Sequence, residues 1–232
     1  MTYVMSDIHG QYEKYEAMLR KISFSDDDTL YILGDIVDRG DKPMKILSDM
    51  SMRANIIPIM GNHEHIAQYI LNLVNVEITD ASIETNWNTD VIRAIREWYD
   101  NGGYLTSRDF SRLSLEDREY ILDYLKEFSF YEEVTVGNHT FVLVHGGLPD
   151  FSPEKPLDDY HPIRTLYERT DYGKRYYPDK YLITGHTPTF VIDPAYDGKI
   201  YMANGHIAVD CGVCHGKPLG CLRLDDWAEF YV

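Results

Sequence analysis

Hydrophobic and polar positions in the first third of the chain repeat one pattern, in which a short apolar run is followed by a polar loop and then by an amphipathic segment. The apolar runs have the length of strands, and the amphipathic segments place apolar residues on one helical face. The predicted strands cover 2–6, 29–33 and 56–60, and the predicted helices cover 12–22, the segment that begins at Pro43, and 64–73. Three consecutive strand–loop–helix units predict an α/β fold with a largely parallel sheet and functional loops at the carboxyl ends of its strands.

The spacing of apolar residues becomes helical after residue 75 and stays so to residue 128. The clearest helices are predicted at 91–98 and 115–125. We interpret approximately 75–128 as a helical cap inserted into a single domain that spans 1–232. The rest of the chain is predicted to be rich in strands, which cover 133–136, 140–144, 180–184, 199–202, 207–210 and 219–224.

The acidic composition restricts the class of partner. The chain has 38 Asp and Glu against 22 Lys and Arg, and its formal net charge of −16 argues against a surface for nucleic acid or anionic membrane. A phosphate ligand would therefore depend on bound cations and a few arginines. No apolar run is long enough to span a bilayer, and the first residues lack the pattern of a secretion signal, so we expect a cytoplasmic protein without a membrane anchor.

Five short polar segments follow apolar runs and contain residue types that ligate metal ions. They are Asp7-Ile-His9-Gly10, Gly34-Asp35-Ile-Val-Asp38-Arg39-Gly40, Gly61-Asn62-His63-Glu64, His145-Gly146-Gly147 and Gly185-His186. In an open α/β sheet such loops converge on one crevice, and the glycines permit tight turns and close approach of the backbone. The sequence therefore predicts one shared site.

The predicted ligand set contains two Asp, three His and one Asn. We assign Asp7, His9 and Asp35 to one ion and Asp35, Asn62, His145 and His186 to a second, with the carboxylate of Asp35 bridging the two. Imidazole, carboxylate and amide ligands without a thiolate favour two divalent ions such as manganese, with iron, zinc or nickel as alternatives. The imidazoles argue against calcium.

Two ions about 3.5–4 Å apart could bind a phosphoryl oxygen and lower the pKa of a shared water, so that hydroxide attacks phosphorus in line without a covalent phosphoenzyme. His63 is predicted to protonate the leaving oxygen, and Asp38 to orient the imidazole of His63. Arg39 is predicted to clamp phosphate oxygens with both ends of its guanidinium group. A structural alternative stays open, in which Asp38 caps its loop and Arg39 forms a surface ion pair.

In this order, and spread over most of the chain, the five motifs resemble those of the phosphoprotein phosphatases, the metal-dependent serine/threonine phosphatases within the calcineurin-like metallophosphoesterase superfamily. The resemblance implies a central β-sandwich flanked by helices, with a dinuclear metal site at one edge. It also implies a further phosphate-binding arginine, for which Arg169 in Leu166-Tyr167-Glu168-Arg169 is the prediction and Arg164 the alternative. The short chain, which lacks the C-terminal loop motif of the eukaryotic enzymes, is more similar to compact bacterial and phage members.

The resemblance implies hydrolysis of phosphomonoesters, with phosphoserine or phosphothreonine in proteins as the leading substrate class and small phosphoesters beside it. One alternative is hydrolysis of dinucleoside polyphosphates, because the bacterial diadenosine tetraphosphatases share the metal site. Those relatives typically have alanine where this chain has Asp38 and aspartate where it has Glu64, and this difference favours the phosphatase. Another alternative is a catalytically inactive binding protein of the same fold. Glu64 is predicted to be a first-turn acidic residue of a helix and not a catalyst.

Further residues of ligand type are assigned packing or surface roles. They are His65, His139, His161, His206 and His215, of which His206 could border the pocket. Cys211, Cys214 and Cys221 predict free or buried thiols in preference to a disulfide framework or a zinc site. Trp87 and Trp98 fall in the predicted cap, where they could line the substrate entrance or pack between helices.

Overall fold

The computed structural model describes residues 1–75 and 88–232, which form strands in two sheets and helices on the outer faces. The strands are β1 (Thr2–Met5), β2 (Thr29–Leu33), β3 (Ile56–Ile59), β4 (Tyr131–Val136), β5 (His139–Val144), β6 (Lys180–Thr184), β7 (Tyr201–Ala203), β8 (His206–Ala208), β9 (Gly220–Arg223) and β10 (Glu229–Tyr231). The α-helices are α1 (Tyr12–Lys21), α2 (Pro43–Ser51), α3 (Asn62–Val74), α4 (Thr89–Trp98), α5 (Tyr104–Phe110), α6 (Leu115–Lys126), α7 (Pro162–Tyr167) and α8 (Thr189–Ile192).

Each sheet has five strands. The first has the order β10-β9-β1-β2-β3, in which β1, β2 and β3 are parallel and β9 and β10 are antiparallel to their neighbours. The second has the order β4-β5-β6-β8-β7, in which β5, β6 and β8 are parallel and the edge strands β4 and β7 are antiparallel. The parallel arrangement predicted for the first three units is thus found within a mixed sheet, and β10 was not predicted.

Alternating side chains of the strands divide the core into layers. Val4 and Leu33 point into the layer between the sheets, where they meet Phe141 and Ile183 from the second sheet. Met5, the neighbour of Val4, belongs instead to the layer beneath the helices that cover the first sheet. This period of two is the geometry of a strand, and burial of both faces explains why the strands are almost continuously apolar. The predicted β-sandwich with flanking helices is confirmed.

A helical segment, defined here as residues 88–128, lies between α3 and β4. It comprises α4, a π-type helical turn at Tyr99–Gly103, α5 and α6. Trp98, Phe110 and Leu125 are buried in the same core cluster as the helices over the first sheet. The helices predicted at 91–98 and 115–125 are present, while residues 76–87 of the predicted cap lie outside the described residues.

None of the helices in 1–75 or 88–232 combines the length and the apolar character that a bilayer crossing requires.

Candidate metal and phosphate site

The loops that follow five of the strands meet at one edge of the sandwich and carry predicted ligands. Asp7 follows β1, Asp35 follows β2, Asn62 begins α3 after β3, His145 follows β5, and His186 follows β6. Two hydrogen bonds join the sheets at this edge. The Nδ1–H of His145 donates to the carbonyl of Leu33 at 2.6 Å, and the backbone N–H of His186 donates to Asp7 Oδ2 at 3.0 Å. The structure therefore brings the five motifs together.

Six residues predicted to form the site have a left-handed backbone, with φ between 46° and 68°. They are Asp7, His9, Asp35, Asp38, Arg39 and His186. This conformation is uncommon outside glycine and costs of order 1–3 kcal/mol per residue, so the surrounding contacts must hold it. Gly34 adds a further left-handed position, at φ 74°, where a Cβ would lie 2.9 Å from His145 Nδ1. The strand-end loops are thus fixed in a conformation that aims their side chains at one another.

Glu64 holds the loop after β2 in place. It is fully buried in the first turn of α3, as the sequence predicted for an acidic residue. Its carboxylate accepts hydrogen bonds from the backbone N–H groups of Asp35 at 2.7 Å, Ile36 at 2.7 Å, Val37 at 2.9 Å and Gly61 at 3.1 Å. One buried carboxylate therefore connects the second and third motifs through their backbones.

Asp35, Asn62, His145 and His186 form the first of two clusters of ligand atoms. Nδ1 of His145 donates to Leu33, so the neutral ring, the form that ligates a metal, has its lone pair on Nε2. This nitrogen lies 3.0 Å from Asn62 Oδ1 and 3.3 Å from Asp35 Oδ1. Ligand atoms of Asp35, His145 and His186 lie within 4.8 Å of one another. Lone pairs that converge with no hydrogen between them are an arrangement that a cation binds.

The second cluster contains His9 and Asp35, with Asp7 and His63 beside them. The Nδ1–H of His9 donates to the carbonyl of Val37 at 3.0 Å, which leaves the Nε2 lone pair facing the carboxylates. His9 Nε2 lies 3.8 Å from Asp35 Oδ2 and 4.0 Å from Asp7 Oδ1. His63 Nε2 also lies 3.8 Å from Asp35 Oδ2. By distance alone, His63 is as close to this cluster as Asp7.

The direction of the pKa shift separates His63 from His9 and His186. Burial lowers the pKa of His9 and of His186 to about 3, so both rings are neutral and able to ligate a metal at neutral pH. Burial also acts to lower the pKa of His63, but the carboxylates of Asp35 and Asp38 outweigh it and hold that pKa above its ordinary value. A raised pKa suits an imidazole to proton donation to a leaving group better than to metal ligation.

Three buried carboxyl groups belong to Asp7, Asp35 and Asp210. Burial, with the nearby charges of Asp210 and Asp35, raises the pKa of Asp7 well above its usual range. Burial raises the pKa of Asp210 to about 7. Burial also acts to raise the pKa of Asp35, but the surrounding imidazoles, led by His145, hold it below its usual range. Carboxylates packed this closely repel one another, and divalent cations offset that repulsion, so the donor set fits two such ions.

Asp38 and Arg39 both lie against His63. The Nδ1–H of His63 donates to Asp38 Oδ2 at 2.6 Å. The guanidinium of Arg39 places Nη2 3.1 Å from His63 Nε2 and Nη1 2.8 Å from His9 Nε2, and Nη1 also donates to Cys214 Sγ at 3.2 Å. Its fork therefore lies directly beside the ligand clusters, where it can donate to an anion.

The second arginine of the predicted site is also placed at the ligand clusters. Arg169 lines the cavity in front of them and donates from Nη1 to Thr187 Oγ1 at 3.1 Å. Its alternative, Arg164, pairs instead with the exposed carboxylate of Asp150 at 2.7 Å. The placement favours Arg169 for contact with phosphate.

A cavity of about 590 Å³ opens in front of the ligand clusters. Its floor consists of polar residues from the strand-end loops, together with Arg169 and Asp210. Its wall is supplied by α3, α4 and the end of α7, and the apolar and aromatic members are Ile66, Tyr69, Ile70, Ala94, Trp98 and Tyr167. We call the polar part the floor of the cavity and the helical part its wall. Trp98 lines the cavity and is also buried in the core between the helices, so it has features of both roles considered for it, whereas Trp87 lies outside the described residues.

Several site residues were not found from the sequence. Asp210 lines the floor, and only the glycine two residues later marked it as part of a turn. His65 and His215, which were assigned packing or surface roles, also line the cavity. Thr106 contacts Asp38 from α5 and has no local sequence signal at all. His206, which could border the pocket, is buried and is not among the residues that line the cavity, and its Nε2 lies 2.9 Å from Thr184 Oγ1.

Comparisons with known proteins agree with this geometry. The profile of the family described as calcineurin-like phosphoesterase matches residues 2–216. A symmetrical bis(5'-nucleosyl)-tetraphosphatase of Pasteurella multocida is 34% identical over 177 residues, which are 74% of this chain and 53% of that protein. The chain spans about half the length of the curated relatives that it matches.

Solved structures share the fold at low identity. A putative diadenosine tetraphosphatase superposes with a TM-score of 0.66 at 15% identity, covering 100% of this chain and 92% of that one. A protein serine/threonine phosphatase from Saccharomyces cerevisiae superposes with a TM-score of 0.57 at 14% identity, covering 100% of this chain and 78% of that one. At such identities the likeness establishes the fold.

Proposed function

The chain belongs to the calcineurin-like phosphoesterase family, and from that premise we propose that it is a two-metal hydrolase of dinucleoside polyphosphates. The observation that carries this proposal is the relation to symmetrical bis(5'-nucleosyl)-tetraphosphatases, which match about three quarters of this chain. Hydrolysis of phosphoproteins, the leading expectation from the sequence motifs, therefore becomes the second candidate. The charge of the site and the shape of the cavity give the proposal its physical content.

We assign the ions to the two clusters at the floor. The metal ligands in this proposal are Asp7, His9 and Asp35 for one ion and Asp35, Asn62, His145 and His186 for the other, with Asp35 shared. When bound, two divalent ions neutralise phosphate charge and make a nucleophilic water available near neutral pH. Manganese is our choice for the test, because the mixed imidazole and carboxylate set accepts it along with iron, zinc or nickel.

With two divalent ions bound, the two arginines would make the floor positive in a chain of strong negative charge. Arg39 lies between His9 and His63, and Arg169 lies beside Thr187. Guanidinium groups donate to two phosphate oxygens at once, so they can orient a polyphosphate as well as attract it. Their role in this proposal is to bind and align the phosphates on either side of the bond that breaks.

The wall offers a place for a nucleoside. Asn62 and Tyr69 lie on the same helix, and their spacing of two turns places Tyr69 about 10 Å further along α3 from the ligand end. An extended nucleoside diphosphate has a comparable reach from its terminal phosphorus to its base. Tyr69 and Tyr167 line the cavity with partly exposed rings, and aromatic rings stack on any base. This arrangement supports a nucleotide over a compact ester.

Hydrolysis of phosphomonoesters is the second candidate, and the Asp38–His63 pair favours it. An alkoxide leaves phosphorus slowly unless it is protonated, so an oriented imidazolium helps a phosphoserine or phosphothreonine substrate greatly. A nucleoside diphosphate is a far better leaving group and gains less from an acid. Asp38 is also the position at which this chain departs from the residue typical of tetraphosphatases.

Substrate preference after metal reconstitution separates the candidates. The full chain would be stripped of metal, reloaded with manganese, and assayed on diadenosine tetraphosphate, a phosphoserine peptide and p-nitrophenyl phosphate. We expect the largest kcat/KM on diadenosine tetraphosphate, with ADP as the product of symmetrical cleavage. A larger kcat/KM on the peptide would establish the second candidate. Bound metal without turnover of any substrate would identify an inactive binding protein, and an Asp35→Asn preparation controls for contaminating phosphatase.

A further inference from the structure

The carboxylate of Asp38 is held from two sides. His63 occupies one side, and the other partners come from the helical segment 88–128. The Nε1–H of Trp98 donates to Asp38 Oδ2 at 2.8 Å, and the hydroxyl of Thr106 donates to Asp38 Oδ1 at 2.6 Å. Thr106 Oγ1 also accepts the backbone N–H of Asp38 at 2.8 Å. Asp38 and Thr106 are fully buried and Trp98 is 2% exposed, so these bonds form away from competing water.

The same helical segment also holds the backbone of the neighbouring arginine. The N–H of Arg39 donates to the carbonyl of Gly102 at 3.2 Å, within the π-type turn that follows α4. Gly102 has φ 102°, and a Cβ there would lie 2.7 Å from Arg39 Cγ. Asp38 and Arg39 have φ of 68° and 67°, a strained pair of consecutive residues that external contacts must stabilise. The turn therefore fits tightly against the second motif.

These contacts fix the direction in which His63 points. Asp38 Oδ2 accepts from both His63 and Trp98, so the indole N–H limits the positions that the carboxylate can adopt. Thr106 fixes the other oxygen and thereby the rotation of the carboxylate about its own axis. Since Nδ1 of His63 is bonded to this carboxylate, the opposite nitrogen, Nε2, keeps one orientation toward the floor.

We propose that Trp98 and Thr106 are positioning residues, which act through Asp38 to hold His63 in the orientation for proton donation to the leaving oxygen. The helical segment then helps to orient the general acid and does not only cover the cavity. This inference rests on the role proposed above for His63, but it is independent of whether the natural substrate is a nucleotide or a phosphoprotein.

Substrates alike in shape but different in leaving group test the proposal. Trp98→Phe removes the indole N–H and keeps an aromatic ring, and Thr106→Val removes the hydroxyl with little change of volume. On phenyl phosphate, whose leaving group needs protonation, we expect kcat to fall about 10-fold in each variant. On p-nitrophenyl phosphate, whose leaving group does not, kcat should fall less than about 2-fold. Bound manganese should stay at the wild-type value, while the thermal midpoint should fall by a few degrees, because each variant leaves a buried hydrogen-bonding partner of Asp38 unpaired.

Two matched variants serve as controls. Trp227→Phe makes the same change where the indole packs on Phe141 and Tyr181, and it should leave both rates unchanged. Thr106→Ser keeps a hydroxyl and should restore the rate on phenyl phosphate that Thr106→Val loses. The comparison of Thr106→Ser with Thr106→Val keeps the test decisive if Trp98→Phe fails to fold.

The outcomes separate this inference from the role of His63. If His63→Asn slows phenyl phosphate selectively while Trp98→Phe and Thr106→Val slow both substrates equally, or neither, the positioning role is wrong. If His63→Asn itself slows both substrates equally, the acid assignment fails and the positioning inference fails with it. Selective loss in all three variants, with rescue by Thr106→Ser, would establish the role.

Discussion

The floor and the wall of the cavity are built in different ways. The floor ligands sit in short loops after strands, and their backbones are fixed by left-handed geometry, by close glycines and by the carboxylate of Glu64. The wall is the side of helices, where Tyr69 is 53% exposed and Tyr167 is 44% exposed. The floor is thus over-determined, as electrostatic catalysis requires, while the exposed rings of Tyr69 and Tyr167 in the wall can change with little cost to folding. We therefore propose that the floor carries the chemistry and that these exposed rings of the wall select the substrate.

The largest effect should come from the centre of the floor. Asp35→Asn removes the charge shared by both clusters, so we expect loss of bound manganese and a fall in kcat on the order of 10³-fold on every substrate. His9→Ala affects one cluster, so at saturating manganese it should retain more activity than Asp35→Asn. Metal analysis and turnover of p-nitrophenyl phosphate measure both effects, and a thermal melt excludes misfolding. Wild-type metal content and activity in Asp35→Asn would disprove the bridging role.

The next prediction tests whether the floor depends on its preorganised backbone. Glu64→Gln replaces a carboxylate that accepts from the N–H groups of Asp35, Ile36, Val37 and Gly61 with an amide that can accept on one atom only. We expect manganese affinity to fall about 10- to 100-fold, the range for residues that orient ligands. Calorimetric titration with manganese measures the change. Glu127→Gln, at the end of α6, is the control, and equal affinity in both variants would show that Glu64 only caps its helix.

The difference between the loop-borne floor and the helical wall also explains what could be predicted from the sequence. Most floor residues stand in short motifs whose glycines and ligand types are recognised without knowing the fold. Arg169 was predicted only from the resemblance of its segment to a family motif, and Asp210 was not predicted. Thr106 and Trp98 lie 68 and 60 residues from Asp38, and helical patterning shows that such residues are buried without showing what they face. The short strand β10 was missed because it lies at the sheet edge with no fully buried position, so it lacks the apolar run that marked the equally short β7 and β8. The domain boundaries, the ligand roles and the cytoplasmic location stay predictions.

The next prediction tests which of the two candidate arginines, Arg169 or Arg164, binds phosphate at the floor. Arg169→Ala should raise KM for p-nitrophenyl phosphate about 10-fold or more, because a charged hydrogen bond to phosphate contributes about 1.5–3 kcal/mol. Arg164→Ala should leave KM unchanged, since Arg164 is paired with Asp150 on the surface. Steady-state kinetics with both variants decides the assignment. A larger KM in Arg164→Ala than in Arg169→Ala would reverse it.

The smallest effect should come from the wall, and it should depend on the substrate. Tyr69→Ala removes a ring that lines the cavity two helical turns from Asn62, and base stacking is worth about 1–3 kcal/mol per base. Because the ring is half-exposed, we expect the lower end of that range, a rise of about 5-fold in KM for diadenosine tetraphosphate. KM for p-nitrophenyl phosphate should not change. Tyr120 on α6 is also 53% exposed and lies outside the cavity lining, so Tyr120→Ala is the matched control. An equal rise in KM for both substrates would show that Tyr69 contacts the phosphate and would contradict the separate roles proposed for floor and wall. An unchanged KM for both substrates would show that the nucleoside binds in another part of the cavity.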